Sequence, residues 1–137
     1  MDLGDAACWA RLARARHGVL ATVHPTRGVD AVPVVFAVAD NGQGPRIFLP
    51  VDTVKPKRST RLQRVANIKA DPRCVFLVDH YDDDWSQLWW VRVHAVATWS
   101  EDEVAPGLAA LFPQYGTPGA LVGTITLLPT EVRGWSA

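Results

Sequence analysis

The residue types best suited to chemistry are gathered in one stretch. Lys55, Lys57, Arg58, Arg61, Arg64, Lys69 and Arg73 are seven of the chain's fourteen basic residues, opposed locally only by Asp71. Lys55 to Arg61 stands where an apolar, strand-like run ends and a helical pattern begins, and Ser59 or Thr60 can cap that helix. Free amides at a helix start, the positive end of its dipole and several cationic side chains together make an anion site, most naturally for phosphate. Arg61 and Arg64, three residues apart, extend the positive surface along one side of the helix. The same pattern also fits the solvated face of an exposed helix. A nucleic-acid surface calls for further basic residues with stacking aromatics beside them. The rest of the chain offers neither, so no nucleic-acid partner is expected.

The other reactive residue types read as structural. Two cysteines, Cys8 and Cys74, are too few for a disulfide scaffold and lack metal-ligand spacing. Cys8 falls in a helical pattern and Cys74 in an apolar strand, so both read as inert packing thiols. His24 and His94 read as structural. His80 and Tyr81 stand beside Asp82, Asp83 and Asp84, but that run lacks calcium-loop spacing and its glycine, which makes it a solvated turn. No nucleophile–base pair is visible. Catalytic residues are therefore left unassigned, and no metal is expected.

Length and composition bound the rest. The chain has 137 residues, 48% hydrophobic and 20% charged, with a formal net charge of zero. That suits a single domain over 1–137 and argues against disorder. No apolar run approaches the ~18 residues that span a bilayer. The acidic start lacks the basic region of a secretory signal, so a cytoplasmic protein without a membrane partner is expected. Six tryptophans against two tyrosines is a heavy load that needs a place.

The elements that must position these residues follow from periodicity. A short helix is predicted over Asp5 to Arg16, then strands over Val19 to Val23, Ala31 to Ala39 and Ile47 to Val51. Pro33 marks the second of these as an edge, a bulge or a ligand-facing stretch. A helix over Ser59 to Ala70 turns Leu62, Val65 and Ala66 inward, and Cys74 to Val78 forms a strand. Leu88 to Trp99 is the longest strand and reads as apolar on both faces, which suits a strand between two packed bodies. An interrupted helix over Glu101 to Phe112 and a strand over Leu121 to Leu128 precede the tail. The fold class predicted is mainly β with flanking helices, a small barrel of six to seven strands.

Three motifs in order carry a family likeness: Gly18-Val19-Leu20-Ala21-Thr22-Val23, Val32-Pro33-Val34-Val35-Phe36, and a basic turn into Asn67-Ile68-Lys69-Ala70-Asp71-Pro72-Arg73. They resemble the pyridoxamine-phosphate-oxidase-like split β-barrel family of flavin and deazaflavin proteins. Val54 through Trp85, the strand Leu88-Trp89-Trp90-Val91-Arg92 and the ending Gly134-Trp135-Ser136-Ala137 are similar to an actinobacterial subgroup described as coenzyme F420-dependent oxidoreductases. The likeness spans nearly the whole chain.

The resemblance implies an FMN-binding-type barrel, a homodimer with cofactor sites at the interface, and hydride transfer between F420 and a small organic substrate. Lys55, Lys57, Arg58 and Arg61, with Arg64, match the segment that holds the cofactor's phosphate and glutamate tail. The family's Lys three residues before the helix Asn is Arg64 here. The ring would lie against Pro33, Val34, Val35 and Phe36, beside Pro50, Val51 and Asp52, with Trp90 at the shared surface. FMN-dependent chemistry on the same fold, and a carrier or sensor that binds F420 without turnover, are the alternatives.

Overall fold

The computed structural model describes residues 1–52, 62–101, 108–116 and 121–137. Strand β1 (Asp2–Leu3) leads into helix α1 (Asp5–Arg14). Asp5 in its first turn and Arg11 and Arg14 in its last suit the helix dipole. Cys8 and Leu12, four apart, turn into the core with no exposure. The helix ends at Arg14 rather than Arg16 because Ala15 is already extended.

Strands β2 (His17–His24) and β3 (Gly28–Val35) form a hairpin whose turn is closed by His24, the imidazole Nδ1 accepting from the Thr26 and Arg27 amides at 3.1 Å. Gly28 (φ 95°) supplies the left-handed residue of that turn. β4 (Ala37–Asp40) and β5 (Pro45–Asp52) form the next hairpin. Helix α2 (Gln63–Ala70), β6 (Arg73–His80), β7 (Trp89–Ser100), a short helix α3 (Leu108–Leu111) and β8 (Leu121–Ser136) complete the described chain.

All strand pairings are antiparallel, in the order β3-β2-β6-β7-β8-β5-β4, with β1 on β8. The two ends of this path, β3 and β4, are consecutive in sequence and separated only by Phe36. A sheet whose first and last strands share one linking residue must curl until they meet, and it does so without a β3–β4 ladder. The result is a barrel open along one seam. Phe36 is the hinge pin: it is wholly buried, its ring edge-on to Phe76 at 4.8 Å.

Several expectations are corrected. The strand predicted over Ala31 to Ala39 breaks at Phe36, and β1 was not foreseen, so the described residues hold eight strands rather than six or seven. Helix α2 starts at Gln63, since Leu62 is extended, and its buried residues are Asn67 and Ile68. Ser59 and Thr60 lie outside the described residues. β8 runs on through the supposed tail to Ser136, pairing with β7 and β1. β7 is not apolar on both faces. Val91, Val93, Ala95 and Ala97 point inward, while its outward face mixes Trp90 and Val96 with Arg92, His94 and Thr98. Pro33 does stand on an edge strand of the path.

The core fills the barrel from both sides, with Leu20, Phe76, Val91, Val93, Ile125 and Leu127 at its centre. A second cluster, Ala37 and Tyr115 with Val35, Phe48 and Leu121 packed on them, covers the region of the seam. No helix among the described residues is long and apolar enough to cross a membrane.

Candidate functional site

The described ends of the basic segment are held close together. On one side Asp52, the last residue of β5, pairs with Leu121 across an irregularity in the β5–β8 ladder. On the other, Leu62 precedes α2 and lines a cleft of about 280 Å³ with Val65, Lys69, Trp99, Glu101 and Val122. Leu121 and Val122 are adjacent, so Asp52 and Leu62 both stand at the start of β8. Lys55, Lys57, Arg58 and Arg61 themselves lie outside the described residues. Arg64 is half-buried in the first turn of α2.

Helix α2 is fixed here by a polar network that periodicity does not reveal. Asn67 is fully buried, and its Nδ2 donates to the Thr22 hydroxyl and to Asp30 Oδ2, both at 2.9 Å. Its Oδ1 accepts from Gln63 Nε2 at 2.9 Å. Arg27 closes the network with two bonds to the Asp30 carboxylate at 2.7 and 2.9 Å. These bonds from Arg27, then from Asn67, hold the Asp30 carboxyl below its usual range. The network ties α2 to the β2–β3 hairpin and so sets where the basic segment ends. Periodicity gave no signal for it, since the residues one turn away from Asn67 are Gln63, Arg64, Ala70 and Asp71 rather than an apolar stripe.

The expected ring-side residues divide by direction. Val34 and Phe36 face the core, as does Val51 with 1% exposure, so only their main chains are open to a ligand. Pro33 is exposed on the β3 edge, Val35 packs on the seam cluster around Tyr115, and Pro50 is buried opposite Thr124. Leu121 belongs to the same cluster, which therefore links the β3–β4 corner to the end of β5. Pro33 to Phe36 and Pro50 to Asp52 thus border one region.

Trp90 does not join them within one chain. It lies half-buried on the outward face of β7, opposite Trp135, with the Arg92 guanidinium 5.3 Å from its ring. Strands β2 and β6 intervene between β3 and β7, roughly 14 Å at the usual interstrand spacing. On the same outward face lie Val96 and, on β8, Leu128, which is 48% exposed.

Both thiols are buried in surroundings that favour the protonated form. Burial pushes the Cys74 thiol up to about 12, and its Sγ contacts the Ala95 carbonyl at 3.6 Å. Burial, then the nearby Asp5 carboxylate, raises Cys8. Asp82 and Asp83 are exposed, and Asp84 accepts from the Ser86 amide and hydroxyl at 3.0 and 2.7 Å, which makes this run a turn. Among the described residues no group of His, Cys, Asp or Glu is arranged to hold a metal ion.

Pro33 is exposed on the β3 edge strand, while the cleft beside α2 is walled by Trp99 and lined by Lys69. Glu101 is the one carboxylate among the described residues lining that cleft.

No protein-family model and no curated protein sequence matches the chain. Solved structures do. An FAD-binding protein from Mesorhizobium loti is 17% identical, with 98% of this chain and 93% of that one covered at a TM-score of 0.70. An FAD-binding protein from Mycobacterium smegmatis is 20% identical, covering 98% and 96% at 0.65. A candidate pyridoxamine 5'-phosphate oxidase from Corynebacterium glutamicum is 18% identical, covering 98% and 90% at 0.59. At these identities the likeness is one of architecture, and the chain has the split β-barrel fold of such flavin-binding proteins.

Proposed function

We propose that the protein is an oxidoreductase that binds coenzyme F420 and passes a hydride between it and a small organic acceptor. The observation that carries this reading is the anchoring of the basic segment: both its described ends attach at the start of β8, beside the seam region bordered by Pro33 to Phe36 and Pro50 to Asp52. A long, polyanionic cofactor needs cations at one end and a flat, backbone-lined shelf at the other. Lys55, Lys57, Arg58, Arg61 and Arg64 would hold the phosphate and glutamate tail as charge-assisted donors. The main chains of Pro33 to Phe36 and Pro50 to Asp52 would lie beside the ring. When bound, the deazaflavin supplies the hydride chemistry, and the protein supplies placement, electrostatics and exclusion of water.

The homodimer belongs to the same proposal. The outward face of β7 and β8 carries Trp90, Trp135, Val96 and Leu128, and a second copy seated there would cover them. Trp90 would then act from the partner side of a shared site, which accounts for its distance from β3.

The FAD-binding neighbours favour a second reading, a flavin such as FMN at the same place. A side-by-side titration with F420 and FMN decides between them. Lys55→Glu and Lys57→Glu should weaken F420 more than FMN, since FMN carries one phosphate and no glutamate tail. Absence of F420 binding by tryptophan quenching overturns the first reading. Tight F420 binding with no reduction of quinone, nitro-compound or tetrapyrrole acceptors would instead indicate a carrier or sensor.

A further inference from the structure

We propose that a second cleft, between α1 and the β6–β7 turn, binds a planar aromatic ring bearing a carboxylate or phosphate. It measures about 450 Å³, within the ~300–1,000 Å³ common for small-molecule sites. Arg11 and Arg14 line it from the helix, His80 from the end of β6, and Gln87 and Trp89 from the other side of the turn. The site stands independently of the cofactor reading. Trp89 opens β7 and Trp99, in the first cleft, lies near its close, roughly 33 Å away along an extended strand.

The side chains converge with distinct roles. Trp89 is half-buried, with the His80 ring stacked on it at 6.4 Å and 23° and the Arg11 guanidinium 5.8 Å from its ring. That assembly is a flat, polarisable wall of the kind against which an aromatic ligand stacks. Arg14 stands one turn beyond Arg11 on the same helix face, exposed. Neither arginine has a carboxylate partner among the described residues. No Asp or Glu among the described residues lines the cleft; Asp82, whose Oδ2 lies 3.7 Å from His80 Nε2, stands outside it. Two guanidiniums side by side without a counter-ion repel each other, and a bound anion relieves that repulsion. Gln87 presents an amide able to donate to or accept from a ring substituent.

Basic residues in a last helical turn also complement the helix dipole, and that role alone would explain Arg11 and Arg14. It does not explain why an indole, an imidazole and an amide close the same space from the opposite side. The two accounts separate in solution.

Cofactor-free protein titrated calorimetrically with 2-naphthoate, 2-naphthyl phosphate and neutral 2-naphthamide is the test. Saturable binding of at least one anion is expected, with the amide weaker by about tenfold, the worth of one charge-assisted contact. Which anion binds more tightly identifies the natural ligand as carboxylate or phosphate. Arg14→Gln should weaken the preferred anion about tenfold while leaving the fold intact, because the side chain is exposed. Trp89→Leu should weaken all three probes, since it removes the wall. Equal affinity for amide and anions, no binding of either anion, or an unchanged affinity in Arg14→Gln would overturn the proposal.

Discussion

Asn67 Nδ2 lies 2.9 Å from Asp30 Oδ2 and 2.9 Å from the Thr22 hydroxyl, so one buried amide joins α2 to two strands on the far side of the chain. With Gln63 donating to its Oδ1, every strong hydrogen-bonding position of this side chain but one is used. Asn67→Ala removes all three bonds and leaves the Thr22 hydroxyl buried without that donor. A loss of about 2–3 kcal/mol in urea unfolding is expected. Asn67→Asp should be at least as damaging at neutral pH, because it sets a second carboxylate against Asp30, and partly relieved in acid.

Acid should loosen two surface ion pairs. The Arg73 guanidinium and amide donate to Asp71, holding its carboxyl down to about 2, and Arg27 does the same in direction for Asp30. A depressed folded-state value means stabilisation that is complete above the unfolded carboxylate range near ~3.9 and lost as the pH falls through the folded value. Stability should therefore decline between about pH 4 and 2. Titration of carboxyl resonances by NMR should find Asp71 protonating near the bottom of that window. A normal Asp71 titration would show the Arg73 pairing to be absent in solution.

Phe36 is wholly buried at the corner between β3 and β4. Phe36→Ala should cost about 3–5 kcal/mol, as for other buried aromatics. Its loss should also raise amide exchange in β3 and β4 more than in β7, since Phe36 closes the seam.

Gly123 sits beneath the Trp99 indole, and a Cβ there would collide with the ring and stand 2.6 Å from the Ser100 carbonyl. Gly123→Ala should destabilise by about 1–3 kcal/mol through overpacking. Because Trp99 walls the cleft beside α2, the variant should also shift tryptophan fluorescence and weaken cofactor binding.

Both thiols should resist alkylation in the native state. With Cys74 pushed up to about 12, almost no thiolate exists at pH 8. Iodoacetamide should label Cys74 only on unfolding, so its labelling rate should follow denaturant-induced opening. Fast native labelling would contradict its burial.

Leu128 and Trp90 test the outward face of β7 and β8. Leu128→Asp places a charge on the face of the proposed contact while leaving the barrel interior untouched. Light scattering should find wild type as a dimer and this variant as a monomer. A monomeric wild type would remove the partner from the proposed site.

Local pattern located most elements because strands and helices write different periods into apolar residues. The strands around Leu20, Phe76 and Val93 and the helix through Cys8 and Leu12 were legible that way, whereas Pro33 left an edge, a bulge and a ligand-facing stretch open until the strand order made it an edge. The concentration of cations before α2 was equally legible, since charge needs no fold to be counted. Legibility failed where the outcome depended on a distant partner. Ala31 to Ala39 reads as one strand, yet it breaks at Phe36 because Phe76 and the closing barrel claim that side chain. The final residues read as a tail, yet Gly134 and Trp135 extend β8 because β1 and β7 wait beside them.

The sequence by itself thus determined a mainly β chain, its inward stripes, and a basic segment suited to phosphate. Tertiary structure alone decided that Asn67 is a buried tie rather than a surface residue, that Trp90 stands apart from Pro33, and that Arg11, His80 and Trp89 share a cleft. The physical reason is range. Propensity and periodicity act between neighbours a few residues apart, whereas hydrogen-bond partners and cleft walls are set by ladder register, which brings together residues such as Thr22 and Asn67 that are remote along the chain.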